Sequence, residues 1–314
     1  MQNLSSTLVV LATGGTIAGR AARADDNVGY QAAQLDVTDL LQGLPGLPDV
    51  SIEGEQVAQI DSKDMDAATW QALSRRVAHH LARPQVRGVV ITHGTDTLEE
   101  TAWLLHRVLA PTKPVVLTAA MRPATSLQAD GPQNLSDALA LAAAEGAAGV
   151  LAVVAGCVHG AADLRKLHSY RLDAFGSGDA GPVGGIAEGV LTRWRDWPQG
   201  RGLGLDCLAT DPDRWPWVEI VLSHGGARAS GVDALVAAGV QGLIVAGTGN
   251  ATVHHALSAA LDRAHAQGVA VRLVTRCAAG PVMGGPHHRW PVYPTLSPAQ
   301  ARLELLLELL CAAG

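Results

Sequence analysis

The sequence predicts an α/β protein, with a larger N-terminal α/β domain built on a mainly parallel sheet and a smaller C-terminal α/β domain. Short β-branched runs recur along the chain, and each leads into a Gly-rich or polar turn and then a helical segment. Alternating strands and helices are the pattern of a parallel sheet with helices on its faces. The rhythm breaks once, between Trp194 and Trp217, where Pro198, Gly200, Gly202, Gly204, Pro212 and Pro216 leave no helical or strand period. A chain of 314 residues with 48% hydrophobic content can fill one large core or two modest ones. The expected division is therefore an N-terminal domain over residues 1–198, a connection over 199–216 and a C-terminal domain over 217–314.

Taken in order, Thr7–Leu11 reads as the first strand, ending in Ala12-Thr13-Gly14-Gly15-Thr16. The polar, aperiodic stretch Arg20–Tyr30 follows and reads as a mobile loop. Val86–Thr92 is a second strand, running through His93-Gly94-Thr95-Asp96-Thr97 into a helix that continues to about Leu109. Pro114–Thr118, Val150–Val154, Val218–Leu222, Leu243–Ala246 and Val269–Thr275 are the remaining strands, and Pro132–Glu145, Val232–Ala238, Val253–Ala266 and Pro298–Cys311 the helices. Ser297 at the N-cap and Pro298 at the first helical position mark the start of the last helix.

Composition removes several function classes. A net charge of −6 argues against general nucleic-acid binding, which needs a basic face. No apolar run reaches the length of about 18 residues that a membrane helix needs. The start, Met1-Gln2-Asn3, lacks the basic region of a signal peptide, which points to a cytoplasmic protein, or a periplasmic one if such a peptide has been removed. Cys157, Cys207, Cys277 and Cys311 are scattered, without CxxC or zinc-type spacing, and read as buried free thiols. The histidine pairs His79-His80, His254-His255 and His287-His288 point their neighbours in different directions and no HExxH occurs, so no metal is expected. Neither Walker spacing nor GxGxxG follows a strand, and GxSxG is absent.

Ligands in parallel α/β sheets bind beyond the carboxyl ends of the strands. Thr13–Thr16, Gly94–Thr97 and Gly247–Asn250 are placed there, and they offer Thr, Gly, Asp and Asn, groups suited to a small polar molecule. Ordinary turn chemistry accounts for each loop alone, since Thr97 with Glu100 makes a capping box and Asp96 favours a helix N-terminus. Three such loops at equivalent strand ends favour a site. The chain has only Lys63, Lys113 and Lys166 as lysines. An isolated lysine such as Lys166, just after a strand, is worth suspecting as a base, a task that arginine cannot perform.

Ala12-Thr13-Gly14-Gly15-Thr16-Ile17-Ala18-Gly19 and Ile91-Thr92-His93-Gly94-Thr95-Asp96-Thr97-Leu98-Glu99-Glu100-Thr101-Ala102 resemble the two signatures of bacterial-type L-asparaginases. The likeness continues through Ile60–Met65, Ala120–Pro123, Ala129–Pro132 and Ala246–Asn250, covers essentially the whole chain, and is nearer to the type II group. The resemblance implies an amidohydrolase acting on L-asparagine without a cofactor, with possible minor glutaminase activity. Thr16 would be the nucleophile, Tyr30 its activating neighbour, and Thr95, Asp96 and Lys166 the second catalytic group. Ser62, beside Asp61, would bind the substrate's α-carboxylate and Asp96 its α-amino group. The Ala120 carbonyl would receive the scissile amide nitrogen, and Gly94 and Thr95 would line the site. Asn250 would contribute to the neighbouring subunit's site in a homotetramer built as a dimer of intimate dimers.

Physical chemistry agrees with those roles. An aliphatic hydroxyl is a weak nucleophile at neutral pH and needs an adjacent base or hydrogen-bond chain. Backbone N–H groups of the Gly94-Thr95 turn, at a helix N-terminus, could stabilise a tetrahedral oxyanion. His93, the only histidine in the signatures, receives no catalytic role from the resemblance. Two departures bear on specificity. The family's partner-supplied glutamate has no counterpart in 284–295, which contains no acid, and Lys63 stands where a polar or acidic residue is usual. Lys63 is expected to turn outward to an acid such as Asp64 or Asp66. A glutaminase-asparaginase of the same fold or an amidase for a related ω-amide stays open, because one methylene is worth only ~1–3 kcal/mol of discrimination. An N-terminal-nucleophile enzyme would need cleavage before Thr16, severing the first strand from its turn. An amino-acid sensor would have no need of Thr16, Tyr30, Thr95, Asp96 and Lys166 together.

Overall fold

The computed structural model describes residues 6–42, 44, 50–286 and 288–313. The chain falls into two compact units, Met1–Leu205 and Asp206–Gly314. The first holds ten strands: β1 (Ser6–Gly14), β2 (Val50–Ile60), β3 (Val86–Thr92), β4 (Pro114–Thr118), β5 (Gly149–Val154), β6 (Cys157–Gly160), β7 (Arg165–Lys166), β8 (Phe175–Gly176), β9 (Gly184–Ala187) and β10 (Val190–Arg193). Its helices are α1 (Val37–Leu41), α2 (Ala67–Leu81), α3 (Leu98–Leu109) and α4 (Gly131–Ala143). Eight strands form one sheet in the order β10-β9-β6-β5-β4-β3-β1-β2. The five from β2 to β5 are parallel, and β6, β9 and β10 extend the sheet antiparallel.

The parallel strands are continuous apolar runs because helices cover both faces. β1 is buried from Thr7 to Gly14, and Leu8, Val10, Val90, Val116, Leu135, Leu139 and Leu151 meet in the core. β2 is different, since it lies at the sheet edge and carries Glu53 and Glu55, which pair with Arg83 and with Arg76 of α2. Charge on an edge strand discourages pairing with another chain. Asp66 caps α2 by accepting the Thr69 N–H at 2.8 Å.

The order β2-β1-β3-β4-β5 reverses direction between β1 and β3. Such a switch point opens a crevice at the carboxyl ends of the two strands, where ligands bind. The loops after β1 and β3 carry Thr16 and Thr95.

In the second unit β11 (Val218–Leu222), β12 (Gly242–Gly247) and β13 (Ala270–Thr275) form a parallel three-stranded sheet, with α5 (Ser230–Ala237), α6 (His255–Ala266) and α7 (Pro298–Ala313). The Gln300 N–H donates to Ser297 Oγ at 3.1 Å, the cap expected at the start of α7. Among the described residues no helix is long and apolar enough to cross a membrane.

Three expectations change. The cysteines are not all free thiols: Cys207 and Cys311, 104 residues apart in sequence, are disulfide-bonded across Cα atoms 5.0 Å apart, and Cys277 is exposed. Separation along the chain says nothing about approach in space, and the bond joins a 3-10 turn at the start of the second unit (Leu205–Leu208) to its last helix. The stretch from Trp194 to Trp217 is not wholly irregular, since Leu205–Leu208 and Pro212–Arg214 form 3-10 turns. Thr97 is the N-cap of α3 but makes no side-chain cap; its hydroxyl donates instead to the Ser62 carbonyl at 2.8 Å. His287, one of the paired histidines, lies outside the described residues.

Candidate active site

β1 ends at Gly14 and Gly15 follows it, both glycines with positive φ, 105° and 80°. A Cβ on Gly15 would lie 2.8 Å from the carbonyl carbon of His93 and closer still to Gly94, so the two signature loops touch through bare backbone. Gly94 is constrained in turn: a Cβ there would sit 2.6 Å from Ser62 Cβ and overlap Ser62 Oγ. Three loops, after β1, β2 and β3, are thus stacked on glycines.

Thr16 follows Gly15 in a 3-10 turn and is buried. Its Oγ1 lies 2.6 Å from the Tyr30 hydroxyl. Gly19 makes room for the tyrosine ring, since a Cβ there would be 2.9 Å from Tyr30 Cδ2. The Arg20–Tyr30 loop is hydrogen-bonded to the segment after β4: Leu127 N–H donates to the Ala24 carbonyl at 3.0 Å, and Ser126 Oγ to Asn27 Oδ1 at 2.6 Å.

In the β3–α3 loop, Lys166 Nζ donates to Thr95 Oγ1 at 2.8 Å and to Asp96 Oδ1 at 2.5 Å. Thr95 is buried and Lys166 largely so, whereas the Asp96 carboxylate is half exposed and available to a ligand cation. Ser62 Oγ accepts the Asp96 N–H at 3.2 Å, which leaves its hydroxyl proton to donate to a carboxylate. The buried Ala120 sits on a turn held from both sides: Asp130 accepts the N–H groups of Met121 and Arg122, and Asn134 Nδ2 donates to the Ala119 carbonyl.

Lys63 does not turn into this site. It is exposed, paired with Asp64 at 2.7 Å and Asp61 at 3.2 Å, and those hydrogen bonds, Asp64's first, raise its pKa. Asp66, the other acid considered for it, is occupied in capping α2. Asn250 stands apart from the others in sequence and unit. It follows β12 in the C-terminal unit, where its side chain donates to the Met283 carbonyl and accepts the Met283 N–H.

Two residues that receive no role from the sequence hold parts of the site. His93 is fully buried, and burial depresses its pKa to about 4. Trp70 Nε1–H can only donate, so it donates to Thr101 Oγ1 at 2.9 Å. The Thr101 hydroxyl then donates to His93 Nε2 at 2.9 Å, and the remaining ring proton on Nδ1 goes to the Gly94 carbonyl at 2.7 Å. In a trans peptide C=O and N–H point in opposite directions. Fixing the Gly94 carbonyl towards His93 therefore fixes the Thr95 N–H on the opposite side. Glu99 is the other: its carboxylate accepts the Lys166 backbone N–H at 2.8 Å. A burial argument from the intact apolar run before His93 could have signalled the first, but nothing in the local sequence signals the second.

The arrangement brings together a hydroxyl hydrogen-bonded to a phenol, a second hydroxyl held by a lysine amine, and a serine hydroxyl and an aspartate carboxylate beside them. Among the described residues no cluster of three or more His, Cys, Asp or Glu could hold a metal ion.

Residues 7–198 match the family described as asparaginase, N-terminal, and residues 217–311 match the glutaminase/asparaginase C-terminal domain. The chain is 35% identical to a glutaminase-asparaginase of Pseudomonas fluorescens biotype A over 97% of its own length and 86% of that protein. It is 34% identical to L-asparaginase 2 of Bacillus subtilis, covering 96% and 81% of the two chains. The crystal structure of a probable cytoplasmic L-asparaginase from Campylobacter jejuni superposes with a TM-score of 0.91 at 34% identity, over 97% of this chain and 95% of that one.

Proposed function

The chain belongs to the bacterial-type L-asparaginase family and is an amidohydrolase, and from that premise we propose that it hydrolyses L-asparagine to L-aspartate and ammonia with Thr16 as nucleophile. The observation that carries the reading is the 2.6 Å contact between Thr16 Oγ1 and the Tyr30 hydroxyl, with the Thr16 loop packed at Gly15 against Gly94 of the loop that carries Thr95, whose hydroxyl accepts from Lys166 of β7.

In acylation Thr16 Oγ adds to the side-chain amide carbon while its proton passes to the Tyr30 hydroxyl, which hands its own proton on towards the amide nitrogen. The C–N bond then breaks, the protonated nitrogen departs as ammonia, and an aspartyl ester remains on Thr16. In deacylation Thr95, hydrogen-bonded to Lys166, orients a water that adds to the ester. The ester C–O bond breaks, aspartate is released and Thr16 regains its proton. The oxyanion of each step is met by a preorganised backbone N–H, which is worth more in a water-excluded site than in solution. The Thr95 N–H, aimed by His93, serves that purpose.

Ser62, with Asp61 beside it, takes the substrate's α-carboxylate, Asp96 its α-amino group and the Ala120 carbonyl the leaving amide nitrogen, with Gly94 lining the pocket. Asn250 of a neighbouring subunit completes each site in a homotetramer, so an isolated monomer is inactive. Glutamine is a weaker substrate. Ammonia release from asparagine, glutamine and N-substituted analogues tests the substrate assignment: asparagine should be turned over fastest, and preference for another amide overturns it.

A further inference from the structure

Lys166 has to present Nζ to Thr95 from an unusually small support. β7 is two residues long, pairs only with β8, with Lys166 opposite Phe175, and stands outside the eight-stranded sheet. A ladder of two residues does little to hold a backbone in place. The Leu167 N–H extends the ribbon by donating to the Ala174 carbonyl at 2.8 Å, and other ties reach outside it. Ser177, just after β8, is hydrogen-bonded to His159 of β6 at 2.7 Å, both side chains being buried, so the far strand of this ribbon is anchored to the large sheet. The near strand is held by Glu99, whose Oε2 accepts the Lys166 N–H at 2.8 Å.

Glu99 lies in the first turn of α3, three residues after Asp96 and four after Thr95. One helix start therefore holds both partners of the Lys166 amine and the acceptor of its backbone amide. Arg165, next to Lys166, is partly buried with its Nη1 donating to the carbonyls of Ala162 and Leu164; burial lowers its pKa, and the Glu99 and Asp163 carboxylates oppose that shift. Glu99 thus answers a backbone donor and a neighbouring cation at once.

We propose that Glu99 is a positioning residue for the reaction: by clamping the Lys166 backbone to the start of α3, it sets the reach of Nζ to Thr95 without touching the substrate. The inference rests on the reading of Lys166 and Thr95 as catalytic partners. A displacement of about 1 Å at a catalytic group can cost ~10²-fold in rate, so a lost clamp is visible in kcat.

The test is a double-mutant cycle on the full chain, measuring kcat and KM for asparagine in Glu99→Ala, Lys166→Met and the pair. Glu99→Ala should lower kcat by ~10-fold or more without raising KM by more than ~2-fold, because the substrate contacts are untouched and slower deacylation can only lower KM. Glu99→Gln keeps an acceptor for the N–H and should recover most of the loss. In the Lys166→Met background Glu99→Ala should do nothing further, since residues acting through one another are not additive. If Glu99→Ala fails to fold, Glu99→Asp, one methylene short of the amide, carries the same comparison. A further drop by the same factor in the Lys166→Met background, or a Glu99→Gln no better than Glu99→Ala, overturns the clamp and leaves the catalytic reading standing. Full turnover by Lys166→Met overturns both.

Discussion

The Cys207–Cys311 bond closes the C-terminal unit on itself, from its first turn to its last helix, and this makes a large effect on stability. In the chain-entropy account, a cross-link over 104 residues removes about 4.7 kcal/mol of conformational freedom from the unfolded chain. Cys311→Ser is the clean perturbation. Position 311 is exposed, so a hydroxyl there is solvated, and the freed Cys207 thiol has the Leu307 carbonyl 3.6 Å away to accept its S–H. Little is lost in the folded state, and nearly the whole effect falls on the unfolded one. Engineered and native bonds deliver typically about 2–4 kcal/mol of such a figure. At ~4 °C per kcal/mol for a unit of this size, the transition that unfolds the C-terminal unit should fall by roughly 8–16 °C. Calorimetry with and without a thiol reductant, on the native chain and on Cys311→Ser, reads it. The native chain under reductant should approach the variant, and the variant should ignore the reductant. A shift below about 3 °C, or free thiols at both positions in a non-reducing peptide map, would refute the reasoning. Bonds of this kind persist in oxidising compartments and are rare in the cytosol, so the result also bears on where the enzyme works.

Three further predictions concern the N-terminal unit. His93 and His159 both have pKa values depressed to about 4, chiefly by burial, against 6.5 ordinarily. The unfolded chain therefore takes up protons between pH 6.5 and 4 that the folded chain refuses, so stability is full above pH 6.5 and lost as pH falls, by on the order of 3 kcal/mol for each histidine; urea midpoints that stay level from pH 7 to pH 5 would contradict this. Gly94→Ala drives a methyl into Ser62 and should lower kcat/KM by ~10²-fold with a stability loss of ~1–3 kcal/mol, and normal kinetics in a folded Gly94→Ala protein would show that the three stacked loops do not need bare backbone. Lys63→Gln removes an exposed, solvent-screened pair with Asp64 and Asp61, so KM for asparagine should fall slightly or stay unchanged; a clear rise would mean that Lys63 aids binding.

The parts of the fold that the sequence announced are those where one local rule suffices. β3, β4 and β5 are short β-branched runs buried on both sides, and each stops at small or polar residues where the chain turns. β2 escaped notice because an edge strand needs no apolar alternation: Glu53, Glu55 and Gln56 interrupt it. β6 to β10 escaped because two to four residues, several of them glycine, leave no period to detect. At the site, Thr16, Tyr30, Thr95, Asp96 and Lys166 stood out through a resemblance carried by contiguous motifs. The structure adds the contacts that join those motifs. Thr97 reads locally as a cap but spends its hydroxyl on Ser62, 35 residues away. Glu99 reads as ordinary helix-start charge but reaches the Lys166 backbone, 67 residues away. His93 reads as a polar residue in a loop but is fixed by Trp70 and Thr101. The Thr97 and Glu99 pairings are non-local, and although His93 and Thr101 share one motif, the Trp70 that orients Thr101 lies 31 residues away.

The central claim is that Thr16 carries the acyl group, and the covalent intermediate is its most direct record. Rapid quench of the enzyme with asparagine, followed by intact-mass and peptide-mass analysis, should find one aspartyl group added to the peptide that contains Thr16. Slowing deacylation with Lys166→Met should raise the trapped fraction. Thr16→Ala should fold normally, show no adduct and release ammonia at least ~10²-fold more slowly. An adduct on Thr95 instead, or near-normal turnover by Thr16→Ala, would contradict the account.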